Sequence, residues 1–564
     1  MINLQRSNPV KTALLAFAVV SILSACQNAQ VSKHIAGKQE YIGTREPFAS
    51  EAIYFVMTDR FVDGDPTNNQ QDQGGDYPTF NLELQGPDGR TANVGYMGGD
   101  FKGIVDNAGY ISEMGFTAVW LSPIVDNPDQ AFAGGEAITF GGAFKDGGKT
   151  GYHGYWADNF WQVDEHWPSD NLSFKQMTQT LRQQFGLKTV LDIVANHGTP
   201  SFAMPEDQPK FGEIYDQQGQ LVADHQNLPP EQLDSNNPLH AFFRHEPDIL
   251  QLSNLDDRNP LVRDYLINAY LYWIEQGADA FRIDTIKHVP HDFWKEFTDR
   301  IRAKHPGFFM FGESYNYDAD FIAEHTLAQN GAVSVLDFPG QQAMVKVFSE
   351  PDSDFAELQD YLHLTGGPYA NPYELATFYD NHDMPRMNAS DNGFIDAHNW
   401  LFTSRGIPVV YQGSEMGFMR GTSEHQGNRN YFGQSGVQMA RQHPIRQHLA
   451  AIANVRKTTP ALQRGLQLNV RLAGQQAIFY RVLQTADIAQ TALVLLNKSD
   501  QPADFKVADY MQAGQWQEAL SGQTRQISDS LSVTVAAHGV QVWVHNAEVT
   551  GQPLAARLAK LMQQ

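Results

Sequence analysis

Hydrophobic residues recur along most of this chain in short apolar runs that alternate with amphipathic stretches. Eight runs are rich in β-branched and aromatic residues, as strands are, and lie at residues 53–57, 117–121, 188–194, 280–283, 308–311, 333–336, 376–379 and 408–411. Stretches with helical periodicity, such as 174–185 and 261–276, lie between many of them. Eight strand–helix units predict an α/β fold built as a parallel (β/α)8 TIM barrel.

Two segments depart from this alternation. Residues 198–253 are rich in Pro, Gln and Asp and have little helical periodicity, which predicts an inserted B subdomain after strand 3. After about residue 459 the pattern changes to short alternating strands at 468–472, 477–482, 492–496, 531–535 and 540–544. This pattern predicts a C-terminal antiparallel β-sandwich, and residues 554–564 could add a short amphipathic helix.

The predicted domain divisions follow from these changes of pattern. They are a signal peptide at 1–25, a tether at 26–47, the barrel at 48–197 and 254–459, the insert at 198–253, the sandwich at 460–548 and a C-terminal tail at 549–564.

The N-terminus has the pattern of a cleaved signal. Basic Arg6 and Lys11 precede an apolar stretch that is too short to span a bilayer. Leu-Ser-Ala-Cys26 resembles a bacterial lipobox, in which the cysteine becomes a lipidated N-terminus; an ordinary signal with an incidental cysteine is the alternative. Cys26 is the single cysteine, so no intrachain disulfide can form. Gln27, rather than Asp, favours the outer membrane of a Gram-negative envelope, on its periplasmic or surface face.

Charge narrows the range of partners. The formal net charge is −24, from 40 basic and 64 acidic residues, without long runs of one sign. Such a surface argues against nucleic acid or an anionic lipid surface as partner. We expect a neutral or cationic substrate, and contact with a membrane only through the lipid anchor.

Acids and histidines follow several of the predicted strands. They lie in Asp192-Ile-Val-Ala-Asn-His197, Phe281-Arg-Ile-Asp-Thr-Ile-Lys-His288, Phe311-Gly-Glu-Ser314 and Phe378-Tyr-Asp-Asn-His-Asp383. Strand ends of a parallel barrel meet at one rim, so Asp284, Glu313 and Asp383 should converge. Hydrolysis of a glycosidic bond with retention needs a carboxylate nucleophile and a carboxylic acid roughly 5 Å apart. For one acid alone a solvated carboxylate is the stronger interpretation, but four ordered segments make it remote.

Two neighbours would tune these acids. Arg282 lies two residues from Asp284, hence on the same side of a strand, and would keep that carboxylate ionised. Glu313 follows an apolar run, where partial desolvation could raise its pKa for work as an acid.

The four segments resemble, in order, the signature regions of the α-amylase family, glycoside hydrolase family 13. The resemblance implies Asp284 as nucleophile, Glu313 as general acid/base and Asp383 as stabiliser of the transition state. It implies substrate binding by His153, Tyr155, His197, Arg282, Lys287, His288, His382 and Arg386. Of these, Tyr155 would stack on the sugar in subsite −1, and Lys287 and His288 would serve the acceptor side.

The resemblance also implies one or two structural Ca²⁺ sites, which oxygen ligands suit. The first would use Asn196, Asn254 and the backbone carbonyl of His288; the family usually has Asp where Asn254 stands, so occupancy stays open. The second resembles the N-terminal calcium loop of cyclodextrin glucanotransferases and would use Asp63, Asp65, Asn68, Asn69, Gly98 and Asp100. A turn rich in Asp and Asn is the alternative for this cluster.

Activity within the family is the last question. Stretches such as 58–61 and 287–290 are most similar to cyclodextrin glucanotransferases. Leu250 is aliphatic where those transferases carry a large aromatic residue, and one C-terminal sandwich leaves no room for their starch-binding domains. We therefore expect a retaining α-1,4-glucan hydrolase acting on starch, maltooligosaccharides or cyclodextrins.

Two alternative activities stay open. One is hydrolysis of the cyclomaltodextrinase or neopullulanase type, and the other is cyclodextrin glucanotransferase activity. A non-catalytic glucan-binding surface lipoprotein is disfavoured, because all three carboxylates are present. Endo or exo action and the oligomeric state are not fixed by the sequence.

Overall fold

The computed structural model describes residues 39–142, 145–202, 204, 208, 210–249 and 251–562. Eight parallel strands form the central sheet: β1 Ile53–Val56, β2 Ala118–Leu121, β3 Lys188–Ile193, β4 Ala280–Ile283, β5 Phe309–Gly312, β6 Ser334–Val335, β7 Ala376–Thr377 and β8 Ile407–Tyr411. Their order is β6-β5-β4-β3-β2-β1-β8-β7. A parallel bridge between Leu336 and Ala376 joins the two edges, so the sheet closes into a barrel. The predicted barrel and all eight strands are confirmed.

Helices connect the strands and cover the barrel. They are Thr58–Phe61, Phe101–Asp106, Ala108–Glu113, Phe174–Phe185, Pro260–Glu275, His291–Lys304, Ala319–Ala323, Phe338–Ser349, Asp391–Thr403, Gly433–Arg441, Pro444–Thr458 and Pro460–Arg464, with Gln552–Met562 at the C-terminus. Local sequence sets their ends: Ser173 and Gln176 form a capping box before Phe174–Phe185, and Gly186 ends that helix at φ 66°. Within the described ranges, every helix is too short or too polar to cross a bilayer.

Aromatic side chains fill the upper interior of the barrel. The ring of Phe55 stacks on Trp120 at a centroid distance of 4.0 Å and on Tyr411 at 5.1 Å. The indole Nε1 of Trp120 donates a hydrogen bond to Asp192 Oδ2 at 3.0 Å. This layer separates the apolar core from the charged groups at the strand ends and gives those groups a rigid floor.

The insert after β3 begins and ends in one two-stranded antiparallel ribbon. Strand His197–Pro200 pairs with Leu252–Asn254, and Glu213–Tyr215 pairs with Leu221–Asp224 inside the insert. Two further ribbons, Glu83–Gln85 with Thr91–Asn93 and Val125–Asp126 with Asn159–Val163, lie in the loops after β1 and β2. Position 250, on which one argument against transferase activity rests, lies outside the described residues.

The C-terminal region is antiparallel. Its strands are β9 Leu466–Ala473, β10 Gln476–Gln484, β11 Ala489–Asn497, β12 Ala503–Val507, β13 Gly514–Glu518, β14 Thr524–Ile527, β15 Leu531–Val535 and β16 Gly539–His545. Six form a sheet in the order β9-β10-β11-β16-β13-β14, and β12 pairs with β15. The sequence did not predict β12, β13 and β14, whose alternate residues are exposed and polar. Helix Gln552–Met562 buries three leucines, Leu554, Leu558 and Leu561, in the core of this sheet.

Candidate active site

A single buried guanidinium joins the acidic strand ends. Arg282, on β4, is fully buried, and its Nη1 donates to Asp284 Oδ1 at 2.8 Å. Its Nη2 lies 3.0 Å from Glu313 Oε2 and 4.0 Å from Asp383 Oδ2. The three predicted catalytic carboxylates, which come from the ends of β4, β5 and β7, therefore surround one cation at one rim of the barrel.

The chain turns sharply directly after Asp284. Thr285 has φ 47° and ψ 36°, a left-handed conformation that a β-branched residue rarely adopts. Such strain persists only where the surrounding structure imposes it, and it is common at active sites. The turn begins at Asp284, directly after β4, and leads into the short helical turn that carries Lys287 and His288.

Asp192, at the end of β3, shares the Nη1 nitrogen of Arg282 with Asp284. Arg282 Nη1 donates to Asp192 Oδ1 at 2.9 Å, and the hydroxyl of Tyr155 donates to Asp192 Oδ2 at 2.8 Å. The same hydroxyl lies 2.8 Å from Nε2 of His382, and the two rings stack with an interplanar angle of 14°. Tyr155 is thus fixed as a flat surface beside the carboxylates, as expected for a residue that stacks on a sugar.

Burial gives the acids different proton affinities. A guanidinium 3.0 Å away favours ionised Glu313, but burial is the larger effect and raises the pKa of Glu313 to about 8, with Asp383 adding to the rise. Burial also raises the pKa of Asp383, yet its cationic neighbours outweigh burial and lower that pKa below its ordinary value; the guanidinium groups of Arg429 and Arg282 are the neighbours that stay charged at neutral pH. Glu313 therefore keeps its proton, as a general acid must, while Asp383 loses its proton and can stabilise positive charge.

Three histidines of the site are buried and neutral. Burial lowers the pKa of His382 to about 3 and lowers that of His197. Burial also lowers the pKa of His153 well below its ordinary value, and His153 Nδ1 accepts a hydrogen bond from the Tyr155 backbone N–H at 3.0 Å. His153 therefore shapes the Tyr155 loop, and His197 can offer an uncharged N–H to a sugar hydroxyl. Because the Tyr155 hydroxyl donates to Asp192, the single N–H of neutral His382 is donated to that hydroxyl.

The predicted acceptor-side residues lie on the loop after β4. Lys287 Nζ donates to the backbone carbonyl of Tyr315 at 2.9 Å, and His288 Nδ1 lies 3.0 Å from Asp248 Oδ1 in the insert. Tyr315 follows Glu313 by two residues, and 41% of its surface is exposed. An exposed tyrosine beside the buried acid is suited to contact with a sugar ring on that side.

Arg386 is not brought to the carboxylates. Its guanidinium donates to the backbone carbonyls of Asn428, at 2.9 and 3.1 Å, and of Gln412, at 2.9 Å. It also stacks over the Tyr411 ring at 4.1 Å. These contacts give Arg386 a structural role at the end of β8, and its predicted contact with substrate has no support in the geometry.

Three residues of the site were not assigned from the sequence. Trp120 supports Asp192, Arg429 Nη2 lies 2.7 Å from Asp383 Oδ1, and Glu424 Oε1 lies 2.6 Å from Arg429 Nη1. Arg429 and Glu424 come from the long loop after β8, where no periodicity or motif indicates which side chain turns inward. In the sequence, Trp120 cannot be distinguished from an ordinary core residue of β2.

The N-terminal cluster fits a calcium ion. Oxygen atoms of three side chains, Oδ1 of Asp63, Asn68 and Asn69, are buried without a hydrogen-bond partner. Asp100 caps helix Phe101–Asp106 and accepts from the backbone N–H groups of Gly64 and Gly103 at 3.1 and 2.6 Å, which folds the loop around these oxygens. Unpaired buried oxygens are costly unless a cation binds them, and hard oxygen ligands suit Ca²⁺.

Glycine is required at the rim of this cluster. Gly98 has φ 89°, and a Cβ atom there would lie 2.6 Å from Asn69 Oδ1. Asp65 is turned partly away, because its Oδ1 accepts from the Thr67 backbone N–H at 3.1 Å. The predicted set therefore lies together, with Asp65 at its edge.

Comparison with known proteins agrees with this geometry. The family model described as alpha amylase, catalytic domain, matches residues 55–447. A cyclomaltodextrin glucanotransferase of Bacillus licheniformis is 28% identical over 535 residues, which cover 90% of this chain and 68% of that protein. The crystal structure of an Anoxybacillus alpha-amylase aligns with a TM-score of 0.68 at 25% identity, over 89% of this chain and 99% of that one. CldA, described as a cyclomaltodextrin glucanotransferase with a three-domain ABC distribution, aligns with a TM-score of 0.68 at 27% identity, over 88% of this chain and 99% of that one.

Proposed function

This chain belongs to the alpha-amylase family of enzymes, which act on glycosidic bonds, and we propose that it hydrolyses α-1,4-glucosidic bonds with retention of configuration. The observation that carries the proposal is the contact of one buried guanidinium, Arg282, with both Asp284 and Glu313. A shared neighbour brings the two carboxyl groups close to each other, as a retaining mechanism needs. The substrates we propose are starch, maltooligosaccharides and cyclodextrins.

The proposed reaction has two displacements. In the first, Asp284 attacks the anomeric carbon while Glu313 gives its proton to the leaving oxygen, which forms a covalent glycosyl-enzyme. In the second, Glu313 as carboxylate takes a proton from water, and the water oxygen displaces Asp284. Asp383, ionised beside Arg429, stabilises the positive charge that develops on the sugar ring in both steps.

The neutral groups orient the sugar. Tyr155, held by His382, presents its ring, and His197 presents an uncharged nitrogen, around the place where the reacting sugar must lie against Asp284. Neutral donors bind hydroxyl groups without adding positive charge next to an oxocarbenium-like transition state. The pocket therefore favours a neutral hexose ring over an anionic one.

The proposal is tested with Asp284→Ala and with Asp299→Ala, an exposed carboxylate of helix His291–Lys304, as the matched control. Loss of the nucleophile should lower the rate of starch digestion by at least about 10³-fold, while the control keeps its rate. Proton NMR of freshly cleaved maltooligosaccharide should show the α-anomer first. Digestion by Asp284→Ala at the wild-type rate, or the β-anomer as first product, contradicts the mechanism.

Glucanotransferase activity is the second candidate. Its support is the likeness to CldA, whose description as a transferase with three domains removes one argument made from the sequence. A single C-terminal sandwich is therefore compatible with transfer, and the lack of starch-binding domains does not by itself favour hydrolysis. Chromatography decides: linear products alone support hydrolysis, and cyclodextrins or chains longer than the substrate support transfer.

The cellular location stays a prediction. The lipobox and Cys26 fall within residues 1–38, outside the described part of the chain. We propose a lipid-anchored enzyme of the bacterial envelope, with the outer membrane favoured by Gln27. Metabolic labelling with a palmitate analogue would test it, since Cys26→Ala should lose the label.

A further inference from the structure

An arginine of the insert lies against the loop that follows β4. Nη1 and Nη2 of Arg244 each lie 3.4 Å from the backbone carbonyl oxygen of His288. Nη2 also donates to Asp257 Oδ1 at 2.5 Å, and Nη1 lies 3.8 Å from Asp248 Oδ2. Only 13% of the Arg244 side chain is exposed and 7% of the Asp257 side chain. A largely buried cation thus holds the junction between insert and barrel.

The same carbonyl belongs to the first calcium site that family resemblance implies. The other two implied ligands, Asn196 and Asn254, are neutral amides, and the Oδ1 atom of each is buried without a hydrogen-bond partner. These oxygens could accept from a cation, but none of the three ligands carries a negative charge. Calcium on the His288 carbonyl would also share that oxygen with the guanidinium of Arg244. Unlike the N-terminal cluster, which includes the carboxylates of Asp63 and Asp100, this set has no negative charge to offset the nearby guanidinium, and it therefore does not fit calcium.

Both carboxylates nearby already have a partner. Asp257 pairs with Arg244 through Oδ1, although its Oδ2 is buried without a hydrogen-bond partner. Asp248 accepts from Asn196 Nδ2 at 3.1 Å through Oδ2 and pairs with His288 Nδ1 at 3.0 Å through Oδ1. The backbone N–H of Arg244 donates to the backbone carbonyl of Asn254 at 2.9 Å, which fixes the start of the arginine side chain beside the ribbon.

We propose that Arg244 is the permanent cation of this junction and that the junction binds no calcium. The guanidinium links the insert to the His288 carbonyl, a link that a metal ion would otherwise make. The loop so held also carries Lys287, so the insert is fixed to the acceptor side of the site without a metal. The inference concerns a structural contact and does not depend on the proposed reaction.

The first test is calcium content. Asp63→Ala removes a ligand of the N-terminal cluster, and after dialysis against calcium this variant should contain no bound metal by mass spectrometry. A calcium that remains and disappears on adding Asn196→Ala overturns the proposal. A calcium that remains in both variants lies elsewhere and leaves the junction metal-free, as proposed.

The second test uses stability, with Arg258→Ala as the matched control. Arg258 also lies next to the insert ribbon and pairs with Asp256, but 61% of its side chain is exposed. In calcium-free buffer Arg244→Ala should lower the Tm by several degrees, because Asp257 loses its buried partner, whereas Arg258→Ala should change it little. Equal Tm values for Arg244→Ala and wild type overturn the proposal.

A third variant tests whether charge excludes the metal. Arg244→Ala combined with Asn254→Asp removes the cation and adds a carboxylate, so the protein should gain one bound calcium relative to wild type. Circular dichroism confirms that the variant is folded. If the folded variant gains no calcium, the charge conflict is not what keeps metal out, and the argument fails.

Discussion

The guanidinium of Arg429 lies 2.7 Å from Oδ1 of Asp383, although the two residues are 46 positions apart in the chain. The other end of the same guanidinium lies 2.6 Å from Glu424, and its Nε donates to the His382 backbone carbonyl at 3.0 Å. Asp383 lies in the loop beyond β7 rather than on the strand itself. Arg429 therefore fixes both the carboxylate and the backbone of the loop that presents it.

Removing this support should slow catalysis. Arg429→Met keeps much of the side-chain volume but frees Asp383 to shift, and a misplacement of about 1 Å costs about 10²-fold in kcat. Arg429→Lys should retain part of the rate, since a positive charge remains. The measurement is kcat and KM on maltooligosaccharides of defined length.

Arg420→Met is the matched control for this effect. Arg420 lies in the same loop region and forms an ion pair with Asp391 at 2.8 Å, away from the three carboxylates. Its loss should leave kcat within about twofold of wild type, as surface ion pairs contribute little. Equal kcat values for Arg429→Met and Arg420→Met would show that Asp383 does not need Arg429.

The pH profile should report the proton on Glu313. Burial raises the pKa of Glu313 to about 8, so the acid form that donates a proton persists below that pH and is lost above it. We expect kcat/KM to fall as pH rises through about 8. In Asp383→Asn one neighbouring negative charge is gone, and the fall should move to lower pH. An activity that already declines between pH 5 and pH 6 would contradict a raised pKa.

The fold could be predicted from sequence largely because a parallel barrel is covered on both faces. All four residues of β1 and of β4 are buried, so β1 is a continuous apolar run in the sequence and β4 departs from one only at Arg282. In contrast, β12 and β13 bury only alternate residues, and their exposed positions carry Asp, Lys and Gln. A weakly apolar strand at the surface of a sheet has no signal that separates it from a loop.

The residues of the site could be predicted from sequence only where they directly follow a strand. Asp284 and Glu313 follow apolar strands directly, so barrel geometry brings them together. Arg429 and Arg244 come from long loops, and their positions depend on tertiary contacts with residues far away in sequence. For Arg386, the family resemblance implied a contact with substrate, whereas its guanidinium donates to backbone carbonyls at the end of β8.

The hydroxyl of Tyr155 should contribute less to kcat/KM than its aromatic ring does. Tyr155→Phe removes the hydrogen bonds to Asp192 and His382 but keeps a flat surface for the sugar, so kcat/KM should fall by about tenfold. Tyr155→Ala also removes the stacking surface and should cost at least about a further tenfold, mostly in KM. Steady-state kinetics on one maltooligosaccharide measure both. If Tyr155→Ala matched Tyr155→Phe, the ring would have no part in binding.

Calcium should stabilise the protein through the N-terminal cluster. A ligand that binds only the folded state adds about 2.7 kcal/mol at a free concentration about 100 times its Kd, so chelation should lower the Tm of the wild type. Asp63→Ala loses one of the three unpaired buried oxygens and should have a lowered Tm that no longer responds to a chelator. Asp106→Ala, an exposed carboxylate of the adjacent helix that pairs with Lys102, serves as control and should respond as the wild type does. If the wild-type protein, once a chelator has removed all metal, melts at the same temperature as with calcium, this loop holds no structural calcium.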